Sequence, residues 1–247
     1  TKLSTGKRIN ASKDDSAGQA IAMRLEGEIR GLAIASRNAS DGQALIDTAE
    51  GALREAHNVL IRMRELAVQA QNGTLQTTDK TALGVEFDAL EAEITRISDD
   101  TTFGGIELLD GTFSVKTAGR LQIGTDKDQV LTHKINNLAS TAINLVAAID
   151  VTTFTKASSA ITELYKAISL VGTQREKMGA VINRLDHTIA NLSQVATNFS
   201  LAKGRIEDAD FAVETGNLAK NQIMQQAATA MLAQANASKQ TVLTLIR

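Results

Sequence analysis

The chain contains no proline, no cysteine and no tryptophan, and aromatic residues make up only 3% of its 247 residues. Without proline, nothing in the sequence removes a helical donor or clashes with the preceding turn, so long uninterrupted helices are allowed. Without cysteine, disulfides and thiolate chemistry are excluded, which leaves the redox compartment open. With 43% hydrophobic residues and so few aromatics, the apolar material is mostly Ala, Leu, Ile and Val. That mixture suits narrow interfaces between helices better than a broad globular centre.

Charge of one sign is also missing. There are 26 Lys and Arg against 28 Asp and Glu, with no long run of either, so the basic footprint of a nucleic-acid or anionic-membrane partner is absent. No apolar stretch approaches the roughly 20 residues that span a bilayer, and Thr1–Gly6 has no signal-peptide apolar core. If the chain is exported, it uses something other than a visible cleavable signal. The first residue is not Met, so a processed or trimmed chain is expected too.

What the sequence has is heptad spacing. Leu45, Ala49, Ala52, Ala56, Val59, Met63, Leu66 and Ala70 alternate in steps of four and three, placing them on one helical face. Asn72-Gly73 supplies an end, Thr77 or Thr78 a new start, and Leu83, Phe87, Leu90, Ile94 and Ile97 repeat the pattern. The short connection predicts an antiparallel pair. A third stripe, from Ile161 through Leu164, Ile168, Val171, Met178, Ile182, Leu185, Ile189, Leu192 and Ala196 to Phe199, predicts a helix of about 60 Å that needs partners along its length. Met224, Ala228, Met231, Ala235, Val242 and Leu245 form a fourth, Ala-rich stripe, expected to bury its face mainly by self-association.

Elsewhere the pattern weakens. Ser12-Lys13-Asp14-Asp15 reads as a capping segment with Ser12 as acceptor, and Gly18, Gly27 and Gly31 argue against a single helix over 16–40. Short alternating stretches over 103–135, punctuated by Gly111, Gly119 and Gly124, predict β-hairpins, while 136–158 reads as helical turns or loops. The fold expected is mainly α, an elongated helical bundle or coiled-coil rod with a small β-hairpin insertion.

No catalytic, metal or cofactor site is predicted. His57, His133 and His187 sit in separate contexts without a ligand pattern. Asp14-Asp15 and Asp99-Asp100 lie at helix ends, where capping is the plainer reading than acid-base chemistry. The glycines form no phosphate loop. A membrane-surface or adaptor role is disfavoured by mixed charge on the polar faces and the lack of aromatic anchors.

Leu3-Ser4-Thr5-Gly6-Lys7-Arg8-Ile9-Asn10 with the following Ala11–Ala22, Ser36–Gly42 and Arg62–Ala70, and at the far end Ser200–Phe211, Leu232–Asn236 and Val242–Arg247, resemble bacterial flagellin. The resemblance covers about 1–110 and 160–247. It implies a structural subunit of the flagellar filament, secreted to the cell surface, that self-assembles for motility through a helical core built from both chain ends. The implied division is 1–16 as the remnant of an N-terminal filament-core segment preceded by a further helical segment. Residues 17–102 and 159–204 would be the two halves of the rod, 103–158 a variable insertion, and 205–247 a terminal filament-core helix. Implied partners are copies of itself, a flagellar export chaperone, the filament cap and hook-associated proteins. Arg62, Leu66 and Glu86 match positions with which some flagellins engage an innate immune receptor. A hook-associated junction protein and a flagellin-derived surface-binding module are the alternative readings.

Overall fold

A computed structural model of the chain describes residues 2–111, 113, 119–135, 138 and 149–245, with side chains given as far as 237. In order along the chain, helices α1 (Lys2–Thr5), α2 (Ser16–Ala70) and α3 (Thr77–Asp100) are followed by strands β1 (Thr102–Phe103), β2 (Ile106–Glu107), β3 (Arg120–Gln122) and β4 (Val130–Thr132). Helices α4 (Phe154–Glu207) and α5 (Phe211–Leu245) complete the chain. The mainly helical expectation with small β-hairpins holds.

The start of α2 is set by Asp15, not by Ser12. Asp15 directly precedes the first helical residue, and its Oδ1 accepts from the N–H of Gly18 at 2.9 Å. Asp14 organises the turn ahead of it, accepting from the N–H groups of Asn10 and Ala11 at 3.0 Å each. These backbone donors hold the Asp14 carboxyl below its ordinary pKa.

The expected interruption at Gly18, Gly27 and Gly31 does not occur, since α2 runs unbroken for 55 residues. Each glycine costs roughly 0.5–1 kcal/mol of helix propensity, but two of the three create close approaches. A Cβ on Gly18 would lie 2.8 Å from Ile9 Cδ1, and one on Gly31 would lie 2.7 Å from Thr125 Cγ2. At these two positions an added side chain would require a neighbouring side chain to shift.

The chain separates into two compact units. In the larger, Gly31–Val195, α2 and α3 run antiparallel, and Leu45, Ala49, Leu53, Leu60, Met63, Leu66, Phe87, Ile94, Leu164, Val171, Met178 and Leu185 belong to one buried cluster. Polar pairs tie α2 to α4: Arg175 donates twice to Glu50 Oε1, at 2.7 and 2.9 Å, and Gln43 Nε2 donates to Asp186 at 3.0 Å. Gln76 starts α3, its N–H donating to Asp79 Oδ2 at 3.1 Å.

β1 and β2 pair antiparallel across Gly104 and Gly105, whose φ of 59° and 84° suit the two-residue hairpin turn that needs left-handed backbone at both positions. β3 and β4 form a second hairpin, with Leu121 opposite Leu131. Val115 and most of 136–148 fall outside the described residues. The last part of the expected insertion, from Phe154, is instead the first turn of α4. Thr153 caps that turn, its Oγ1 accepting from Lys156 N–H at 3.3 Å and its carbonyl from Ala157 N–H at 2.9 Å.

The smaller unit comprises Thr1–Arg30 and Ala196–Arg247. Here Glu26 of α2 accepts from Arg30 at 2.7 Å and, at closer range, from Lys203 of α4, while Ala22 and Ile9 are buried.

Candidate assembly surface

α5 starts at a local cap, with Asp210 Oδ1 accepting from the N–H groups of Ala212 at 2.9 Å and Val213 at 3.3 Å. Lys2 of α1 reaches Glu214 at 3.3 Å. Beyond that first turn, every residue from 215 to 237 is exposed. Among them Met224 is 51% and Met231 71% accessible, and Leu218, Ile223 and Leu232 are also large apolar side chains facing water. Ala228 and Ala235 lie on the same stripe; the side chains of Val242 and Leu245 fall outside those described.

Spacing alone selected the heptad positions and passed over Leu218, Ile223 and Leu232. Their signal was present in the sequence, but they lie off the seam. The exposed apolar side chains of α5 therefore extend beyond one stripe. Among the described residues no helix is long and apolar enough to cross a membrane.

The three residues assigned to receptor contact are only partly gathered. Arg62 Nη2 and Nε donate to Glu86 Oε1 at 2.8 and 3.0 Å, and Nη1 donates to Glu65 at 3.1 Å. These carboxylates hold the guanidinium even more firmly protonated than usual. Arg62 and Glu86 are half exposed. Leu66, however, is 1% accessible and belongs to the buried cluster. A step of four residues brings Arg62 and Leu66 to neighbouring positions, but the second of them lies in the buried cluster.

Asp100 pairs with Arg96 at 3.1 Å, and Arg96 also holds Glu93 at 2.6 Å. Glu107 lies against Asp110, whose hydrogen bond and charge raise its pKa. His57 Nδ1 and His133 Nε2 are buried without a hydrogen-bond partner, and burial lowers the His133 pKa, with Lys177 adding to the effect. His187 stands on α4 beside Arg184 and Thr188. Among the described residues, no three His, Cys, Asp or Glu side chains could hold a metal ion.

The bacterial flagellin N-terminal helical region matches residues 1–114, and the bacterial flagellin C-terminal helical region matches 159–246. A flagellin of Halalkalibacterium halodurans is 45% identical over 247 residues, covering all of this chain and 90% of the relative. A flagellin of Bacillus subtilis is 42% identical over 276 residues, covering 100% and 91%.

Among solved structures, Bacillus cereus flagellin superposes with a TM-score of 0.57 at 32% identity, covering 68% of this chain and 94% of that one. A putative flagellar hook-associated protein of Vibrio parahaemolyticus gives 0.63 at 16% identity, covering 79% and 100%; that likeness is one of fold. With both helical regions matched and full-length relatives above 40% identity, the chain belongs to the bacterial flagellin family and is a structural subunit of the flagellar filament.

Proposed function

We propose that α5 is the surface through which this subunit joins its copies, with Met224, Ala228, Met231 and Ala235 at the centre of the contact and Val242 and Leu245 extending it. The observation that carries this reading is the exposure of every residue from 215 to 237 in a helix that presents Leu218, Ile223, Met224, Met231 and Leu232 to water. Such a helix gains its stability when neighbours cover it, and mass action then ties its order to subunit concentration. A contact of one patch with a different patch repeats without closing and yields an open helical filament. In this reading the subunit acts mechanically, without catalysis. It is exported with a chaperone, added beneath a filament cap next to hook-associated proteins, and placed on the extracellular surface.

The test is incorporation into preformed filament seeds, comparing the chain with Met224→Asp/Met231→Asp and with a deletion of 206–247. Both variants should fail to sediment with the seeds while retaining the cooperative melting of the Gly31–Val195 unit. Normal incorporation of either variant removes α5 from the interface.

A second reading assigns Arg62 and Glu86 to an innate immune receptor, supported by their convergence on one exposed surface. Leu66 would act only by holding that surface in place. Arg62→Ala should abolish signalling by the folded monomer, and equal signalling by both proteins would end the assignment.

A further inference from the structure

Between Glu207 and Phe211 a long helix stops and another begins, and the local sequence gives little reason for it. Lys203-Gly204-Arg205-Ile206-Glu207-Asp208-Ala209-Asp210 contains no proline, and Gly204 lies inside α4. The ladder still holds at Asp208, whose N–H donates to the Gly204 carbonyl at 2.8 Å. It fails at the next residue.

In a continuous helix the Ala209 N–H would bond to the carbonyl four residues earlier. It donates instead to the carbonyl of Gly6, at 2.9 Å. The carbonyls of Ile206 and Glu207, whose helical donors would come from Asp210 and Phe211, are taken as well. Arg8 Nη2 donates to the first at 2.8 Å and the Arg8 N–H to the second at 2.6 Å. Lys7 and Asp208 form an antiparallel bridge.

The segment that does this is itself anchored. Lys7 Nζ lies 3.0 Å from Glu207, Ile9 is buried over the space left by Gly18, and Gly6 adopts a φ of 69° that favours glycine. All these groups lie in the unit formed by Thr1–Arg30 and Ala196–Arg247.

We infer that the Gly6–Ile9 strap interrupts the helix between α4 and α5, so that the break exists only when the N-terminal segment is docked. Carbonyls and an N–H that an intact helix would satisfy for itself find equivalent partners in the strap, which removes the cost of breaking the ladder. The Asp210 cap is a weaker cause. It serves donors at Ala212 and Val213 that a continuous helix would also satisfy. Without the strap, 204–213 run on as a single helix, so the direction in which α5 leaves α4 is controlled from nearly 200 residues away in sequence. This holds whether or not α5 is the assembly surface.

The experiment labels Asp and Ala of the full chain with carbon-13 and reads the backbone shifts of Asp208, Ala209 and Asp210. Gly6→Val strains the strap at its left-handed position, and Arg8→Pro removes both Arg8 donors; the two act through different atoms. Each should move the three residues from non-helical to helical shifts, with the cooperative melt of the Gly31–Val195 unit unchanged. Asp210→Ala should leave them non-helical. Residues 208–210 that remain non-helical in both strap variants, ordered or not, overturn the inference, as does Asp210→Ala alone making them helical.

Discussion

Leu121 of β3 occupies the space that a side chain on Gly42 of α2 would need: a Cβ at position 42 would lie 2.3 Å from Leu121 Cδ1. About three helical turns earlier, Gly31 receives Thr125 in the same way, and between them Asn38 Nδ2 donates to the Gln122 carbonyl at 3.1 Å. The face of α2 carrying positions 31, 38 and 42 is thus a seat for the second hairpin, two glycines providing depth and one amide fixing the position along the helix.

Gly42→Ala should therefore destabilise the protein by about 1–3 kcal/mol, because overpacking outweighs the helix-propensity gain of up to about 1 kcal/mol. Gly51, in the same helix, has nothing within 4 Å of its would-be Cβ, so Gly51→Ala should stabilise by roughly 0.5–1 kcal/mol. Opposite shifts in denaturant midpoint are the expected result; shifts of the same sign would show that Leu121 moves aside at little cost.

Leu185 is fully buried in the cluster on α4, whereas Lys127 is exposed in the loop between β3 and β4. Leu185→Asp leaves an unpaired acid in an apolar site and should cost several kcal/mol, while Lys127→Ala should stay within about 0.5 kcal/mol. Equal small changes in thermal unfolding would contradict the burial of this face.

The Arg62–Glu86 pair makes a different prediction despite its short contacts. Its partners are 50% and 46% accessible, and exposed ion pairs contribute about 0–1 kcal/mol. Glu86→Gln should barely change the melt, and less so at high salt. A loss above about 2 kcal/mol would mean that the pair holds the α2–α3 hairpin together.

The parts that were legible in the sequence are those in which neighbours along one helix carry the information. Ala49, Met63 and Leu66 on α2, Phe87 and Ile94 on α3, and Leu164, Val171 and Leu185 on α4 are all buried as their spacing requires.

What could not be read depends on distant residues. Gly18 and Gly31 look like helix breakers until Ile9 and Thr125 occupy their spaces. The stop after Glu207 has its partners at Gly6 and Arg8. The exposed α5 stripe was legible because periodicity shows an apolar face even when nothing in the same chain covers it.

Glu26 supplies the last prediction. Hydrogen bonds from Lys203 and Arg30 hold its carboxyl at a pKa of about 2, against an ordinary 4.5; Glu207, 3.9 Å from Lys203, shares the same ammonium. Because the folded pKa is depressed, the stabilisation is present above about pH 4.5 and is lost as pH falls through 2. Asp150, lowered to about 2 chiefly by Lys156, titrates in the same window in the other unit, so a global melt mixes the two. A local measurement separates them. The Glu26 side-chain carboxyl carbon should titrate near pH 2, and amide exchange around Ala22 and Lys203 should accelerate between pH 4.5 and 2 after correction for intrinsic rates. Glu26→Gln should flatten that local dependence and leave the response near Lys156 intact. A Glu26 midpoint at 4.5 would mean that Lys203 and Arg30 are screened by solvent, and that the contact between α2 and α4 in this unit rests on packing alone.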